Sequence, residues 1–226
     1  MEESLGPASK QAGVVCVYQK VKNQVIRLGF GHEIQWQGSV DFKEVTETDF
    51  LREYAWVVLT CGMKEKVISH IFPSFSDAFY EWESSWEIVR NEEKCRGLGL
   101  EVFHNQAKVE AIITTAKKIS VSGFEYFKKW IERDTLTNLR SLPYIGMITQ
   151  FHLAKNLGME VAKPDRHLSR IAHLLGYNDV QALCKKVSNE TGDRISVVDL
   201  VFWRFASISN AYLDLISEYV NEVVQE

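Results

Sequence analysis

The run Lys163-Pro164-Asp165-Arg166-His167-Leu168-Ser169-Arg170 gathers one carboxylate among three strong cations and a histidine. The residues that follow Asp165, RHLSRIAHLL, carry apolar positions at helical spacing, so Asp165 stands where a helix is capped. Backbone N–H groups would then anchor its carboxylate beside Lys163, Arg166 and Arg170. A fixed anion of this kind can stabilise an oxocarbenium-like sugar and orient or deprotonate water, which is what cleavage of an N-glycosidic bond requires. Taken alone, an Asp in this position is more often a cap and nothing more. His167 reads better as a supporting residue than as a general acid. Arg170 reads as a phosphate contact or as the partner of a carboxylate one turn away.

A second element precedes it. Leu142-Pro143-Tyr144-Ile145-Gly146 forms a short turn between two apolar-periodic segments, and Gly146 lies nineteen residues before Asp165. Such a turn exposes the first N–H groups of the following helix, and these suit a DNA phosphate. At Gly146 the missing Cβ would let phosphate approach the backbone.

In this order the two elements resemble those of the helix-hairpin-helix DNA glycosylases, of the endonuclease III, adenine-mismatch and alkyl-adenine types. That family pairs a hairpin of the form L-P-G-V-G with a downstream D-x-H-x-x-R. Here these are Leu142-Pro143-Tyr144-Ile145-Gly146 and Asp165-Arg166-His167-Leu168-Ser169-Arg170. Upstream, HNQAKVEAIITTAKKI is similar to the family's N-x-x-K-A-x-x-I helix, and YAWVVLTCGMKEKV to its first core helix and DNA-probing loop. Together the four motifs span roughly 47–215.

The resemblance implies a mainly α, two-lobed fold with a cleft between the lobes. It implies Asp165 as the catalytic carboxylate of an enzyme that flips a damaged or modified base out of double-stranded DNA and excises it. Leu142, Pro143, Tyr144, Ile145, Gly146, Ile148, Lys163, Arg166, His167 and Arg170 become the DNA-contacting set. Trp36, Gly62 and Met63 become candidates for the base pocket or the wedge, with a plain loop methionine equally open for Met63. Tyr144 stands where the family carries its first hairpin glycine, and Ile148 where bifunctional members carry a lysine. Schiff-base chemistry needs that amine, so the resemblance implies a monofunctional enzyme with weak or absent lyase activity. It also extends the family's monovalent cation, held by hairpin carbonyls, to this hairpin. The rival reading keeps the motif as a non-catalytic clamp on duplex DNA. A glycosylase acting on a free nucleoside or on RNA is a third.

Composition sets the frame. The chain has 226 residues, 46% hydrophobic and 12% aromatic, enough for one large domain or two small ones. Its net charge of −4 argues against a protein that coats nucleic acid nonspecifically, but local phosphate contacts decide DNA affinity. Cys16, Cys61, Cys95 and Cys184 have neither CxxC nor zinc-ligand spacing, so no metal site and no iron–sulfur cluster is expected. No apolar run approaches the roughly 20 residues that span a bilayer, and MEESLGPASKQAG has no apolar signal core. An intracellular monomer is expected, working in the cytoplasm or nucleoid, or in the nucleus of a eukaryote.

The elements that must position the site read as follows. Residues 1–45 look like an irregular lead-in packing on the helical core, with GVVCVYQ suggesting a short strand. From 46 to 226 the pattern is helical, a single glycosylase domain. Thr46 with Asp49, and Ser196 with Asp199, resemble capping boxes. Pro73 should stop a helix, and CRGLGLEVFHN reads as a glycine-bearing loop. Gly158 and Gly176 sit where helices end. Lys117, Lys118, Lys128 and Lys129 read mostly as solvated helix faces. Most of the tryptophans read as core, but Trp36 falls outside the periodic stretches.

Overall fold

Helical periodicity governs the described chain throughout. The structure is a computed structural model and describes residues 13–225, the last two by backbone alone. Every regular element among those residues is a helix and none is a strand. No helix among them is long and apolar enough to cross a membrane. Two compact units divide the chain. One joins the residues up to Val40 with those from Gly158 onward, and the other is Asp41–Leu157.

The N-terminal segment corrects the sequence reading. Helix α1 (Val14–Val25) takes up the β-branched run that suggests a strand. A π-helical turn (Ile26–Phe30) and helix α2 (Gly31–Ser39) follow, where an irregular lead-in is expected. Val14, Val17, Tyr18, Val21 and Val25 are buried, and they recur at three- and four-residue spacing. Burying that stripe outweighs the modest helix penalty of β-branched residues. Residues 1–12 of the expected lead-in lie outside the described residues.

In the Asp41–Leu157 unit, helix α3 (Glu47–Thr60) begins with the expected capping box: Thr46 Oγ1 accepts from Asp49 N at 3.2 Å and Asp49 Oδ2 accepts from Thr46 N at 3.1 Å. Helix α4 (Glu65–Ala78) runs straight through Pro73. Proline removes the hydrogen bond to the carbonyl four residues earlier, but that residue, Ser69, is exposed and water can replace the bond. After α4, Tyr80, Glu81 and Trp82 take φ of 54°, 49° and 64° in succession. Left-handed backbone costs about 1–2 kcal/mol per non-glycine residue. The buried Trp82 offsets this cost, stacking with Phe72, Phe75 and Phe79 and donating its indole N–H to Ser76 Oγ at 2.8 Å.

Helices α5 (Ser85–Arg90) and α6 (Glu92–Val102) come next. The expected glycine loop is thus mostly helix. Gly99 is there for close packing, since a Cβ would lie 2.9 Å from the Phe79 ring. Then come α7 (Gln106–Ser122), α8 (Phe124–Arg133), α9 (Thr135–Arg140) and α10 (Thr149–Asn156).

The other unit is completed by α11 (Arg166–Leu174), α12 (Val180–Thr191), α13 (Ile195–Ile208) and α14 (Tyr212–Gln225). Helix α13 is its centre, buried on most sides and packed against α1, α2, α11, α12 and α14. The Ser196/Asp199 capping box does not form. Both residues are buried inside α13, and Asp199 Oδ2 instead accepts from Lys163 N at 2.5 Å. Arg204 of α13 holds α2 through Glu33, at 2.7 and 2.6 Å, while its guanidinium lies against the Phe30 and Trp203 rings.

One largely buried acid in the Asp41–Leu157 unit gives a pH-dependent stability. Glu53 accepts from Asn156 Nδ2 at 3.0 Å, and Arg52 Nε lies 3.6 Å away. Burial raises its carboxyl above the ordinary range and outweighs both partners. A folded-state pKa above the unfolded one means that ionised Glu53 opposes folding at neutral pH, and that this cost fades as pH falls through the folded and then the unfolded value. Glu53→Gln is therefore expected to raise Tm in neutral buffer and to lose that gain in acid. Thermal unfolding of both proteins across the range checks it.

Candidate functional site

In the unit that contains Gly158–Glu226, three helices fix the approach to Asp165. Gln181 of α12 clamps Ala162, its Oε1 accepting from the Ala162 N–H at 3.1 Å and its Nε2 donating to the Ala162 carbonyl at 2.5 Å. Asp199 of α13 takes the Lys163 N–H. Asp165 then caps α11: its Oδ1 accepts from the N–H groups of His167 at 2.9 Å and Leu168 at 3.1 Å. The other oxygen, Oδ2, lies 3.8 Å from Lys163 Nζ, and 14% of the side chain is exposed. The carboxylate is thus held by two backbone donors through one oxygen, and the second oxygen faces a cation without being bonded tightly to it.

The neighbours of Asp165 separate by role. Arg166 and Arg170, four apart and on one face of α11, are exposed, and their side chains make no ion pair or hydrogen bond among the described residues. The carboxylate partner considered for Arg170 is absent from that set. His167 turns toward α14, its Nδ1 3.3 Å from Tyr212 Oη and its ring edge-on to the buried tyrosine. That is a supporting contact.

The hairpin belongs to the Asp41–Leu157 unit. Leu142 and Ile145 are buried anchors, and Tyr54 of α3 donates to the Pro143 carbonyl at 2.6 Å. Tyr144 has φ of 66°, the left-handed conformation that favours glycine. The turn a glycine would allow is therefore adopted by a tyrosine, whose side chain is 41% exposed. Gly146 is less special than its motif position suggests. Its N–H donates to Thr149 Oγ1 at 2.7 Å, and a Cβ would meet nothing closer than that oxygen at 3.9 Å. The N–H groups of Met147, Ile148 and Thr149, like that of Tyr144, have no hydrogen-bond partner among the described residues. They open toward any anion at the start of α10, flanked by the exposed side chains of Tyr144, Met147 and Ile148.

A monovalent cation at this hairpin would have to bind its main-chain carbonyls. The carbonyls of Leu142, Pro143 and Gly146 already accept from Ile145 N, Tyr54 Oη and Gln150 N.

The turn after α3 is also shaped for display. Gly62 has φ of 72°, Met63 N donates to the Thr60 carbonyl at 3.0 Å, and the Met63 side chain is exposed. Trp36 is partly exposed on α2, so it lies on a regular helix, contrary to the sequence reading. Lys129 is exposed as expected, but the other three lysines are more engaged than solvated faces would be. Lys117 pairs with Glu92, Lys118 lies 3.6 Å over the Trp130 ring, and Lys128 donates to the carbonyls of Lys43 and Val45. Two residues that sequence reasoning did not single out hold the display turns in place, Tyr54 and Lys108. The lysine of the N-x-x-K pattern was the available signal for Lys108.

Neither a protein-family model nor a curated protein sequence matches the chain. Among solved structures, the chain is similar to Methanocaldococcus jannaschii 8-oxoguanine glycosylase/lyase in complex with a 15mer DNA containing 8-oxoguanine. The TM-score is 0.58 at 20% identity, covering 86% of this chain and 97% of that one. The likeness establishes the all-helical fold of that glycosylase for this chain.

The left-handed tyrosine makes a local prediction. Asn tolerates this backbone region and a β-branched residue does not. Tyr144→Asn is expected to change stability little beyond the lost ring contacts, whereas Tyr144→Val should cost a further ~1–2 kcal/mol. Urea unfolding of the two variants side by side measures the difference.

Proposed function

We propose that this protein is a DNA base-excision glycosylase that hydrolyses the N-glycosidic bond of a damaged or modified base flipped out of duplex DNA. The observation that carries the reading is the Asp165 carboxylate. One of its oxygens is fixed by the N–H groups of His167 and Leu168, and the other is left available, on a helix that also presents unpaired Arg166 and Arg170. The fold likeness to a DNA-bound glycosylase/lyase supports it.

Departure of a base leaves positive charge on the sugar. Asp165 Oδ2 is an anion already oriented before that charge appears, so it favours the transition state over the ground state. The same oxygen can hold or deprotonate the attacking water. Arg166 and Arg170 supply phosphate contacts on α11, and the N–H groups of Met147, Ile148 and Thr149 supply them on the hairpin. Met63 is the candidate wedge. The enzyme acts as a monomer inside the cell. Water is the nucleophile because Ile148 occupies the position where a lyase carries its amine. The Methanocaldococcus jannaschii protein is a glycosylase/lyase, so the reading departs from that neighbour at this point.

A clamp without catalysis would need the arginines and the hairpin but not the charge on Asp165. Asp165→Asn keeps the cap and removes the charge. Folding and duplex affinity should persist, and single-turnover excision should fall by about a hundredfold or more on whichever lesion a panel of alkylated, oxidised, deaminated and hypermodified duplexes identifies. Excision at the wild-type rate would reduce Asp165 to a cap. The hydrolytic step has its own check. The product strand should stay intact until alkali or heat cuts it, and borohydride should trap no protein–DNA adduct. A trapped adduct would implicate another amine, with Lys163 beside Asp165 the first to substitute.

A further inference from the structure

Lys108, on the first turn of α7, is only 2% exposed. A buried ammonium is tolerated when its hydrogens are spent on acceptors. Two are spent on the carbonyls of Leu59 and Cys61, at 2.7 and 2.6 Å. These belong to the last turn and C-cap of α3, where helix carbonyls lack internal partners and the helix dipole attracts a cation. The charge also lies 5.4 Å from the centre of the Phe103 ring and 5.6 Å from that of Tyr144, within the range of cation–π attraction. Tyr144 is the strained, half-exposed residue of the hairpin, and Cys61 leads directly into Gly62 and Met63. One charge therefore touches both display turns of the Asp41–Leu157 unit.

We propose that Lys108 is a positioning residue that couples the Met63 turn to the Tyr144 hairpin, so that the two present a single fixed surface to duplex DNA. The DNA clause rests on the function proposed above; the coupling does not. A backbone grip and a wedge are useful together only at a constant spacing, because small displacements of positioning groups are costly in rate. Tyr54 ties the hairpin to the middle of α3, and Lys108 adds the tie at its end.

The test compares amide hydrogen exchange in full-length protein without DNA. The probes are the protected N–H groups of Cys61 and Met63 in one turn and of Ile145 and Gly146 in the other. In Lys108→Met, exchange should quicken by about tenfold in both turns while α8 and α12 keep wild-type protection. Tyr144→Leu should quicken exchange at Cys61 and Met63 as well, and Tyr144→Phe, which keeps the ring, should not. That remote effect is one a simple helix cap would not produce, and it can be read even if Lys108→Met folds poorly. An unchanged Met63 turn in Tyr144→Leu, or an unchanged hairpin in a folded Lys108→Met, overturns the coupling. Duplex affinity is measured in parallel. Met63→Ala and Tyr144→Leu should act non-additively in the wild type and additively with Lys108→Met. Coupled exchange with no duplex binding by any protein leaves the role of Lys108 within the fold standing and removes the glycosylase reading.

Discussion

A carboxylate mostly removed from water must be held by donors if its charge is to be useful, and at Asp165 those donors are two backbone N–H groups of the helix it begins. Much of its unit is arranged to deliver that one contact. Helix α12 clamps Ala162 by both backbone groups, α13 takes the N–H of Lys163 with a buried carboxylate, and α14 receives the imidazole of His167. Because Pro164 offers no N–H of its own, the segment depends on these outside partners to fix its path. Helix α13 can serve as the support because α1 and α2 cover it.

The Asp41–Leu157 unit faces a different constraint, that of holding short turns open to solvent without letting them move. It does so from beneath. The Tyr54 hydroxyl and the Lys108 ammonium both reach main-chain carbonyls, so the displayed side chains stay free of structural duty. Tyr144 is the exception. Its left-handed backbone is unfavourable for a tyrosine, and the Lys108 charge facing its ring is a contact that can offset the strain.

Much of this was legible in the sequence where a local rule acts alone. Thr46 and Asp49 form their box, Asp165 caps α11, and Gly158 and Gly176 take the left-handed conformation that ends helices. Readings failed where tertiary packing overrides the local rule. The valines of α1 look like strand residues until their three- and four-residue spacing finds α13 to pack on. Pro73 sits within a helix because its lost hydrogen bond faces solvent, and Gly99 serves a ring contact instead of a loop. Ser196 and Asp199 have the spacing of a box but are buried, so Asp199 serves the neighbour of the site and not its own helix. The hairpin motif marks a turn with open donors, but they are the N–H groups of Tyr144, Met147, Ile148 and Thr149, since Thr149 occupies the N–H of Gly146 itself.

The division of the chain has a consequence for how the molecule is made. Asp41–Leu157 is continuous, so all of its partners leave the ribosome together and it can condense while synthesis proceeds. Helices α1 and α2 emerge earlier still, but the helix they cover, α13, is translated only after that entire unit and α11 and α12 as well. Through most of synthesis the valine stripe of α1 has no native surface to bury against, and closing that contact carries the entropy of a very long loop. The Asp165 segment therefore takes its final shape late, when α13 has appeared and α1 has packed on it, so a nascent chain can hold a finished hairpin without a finished carboxylate site.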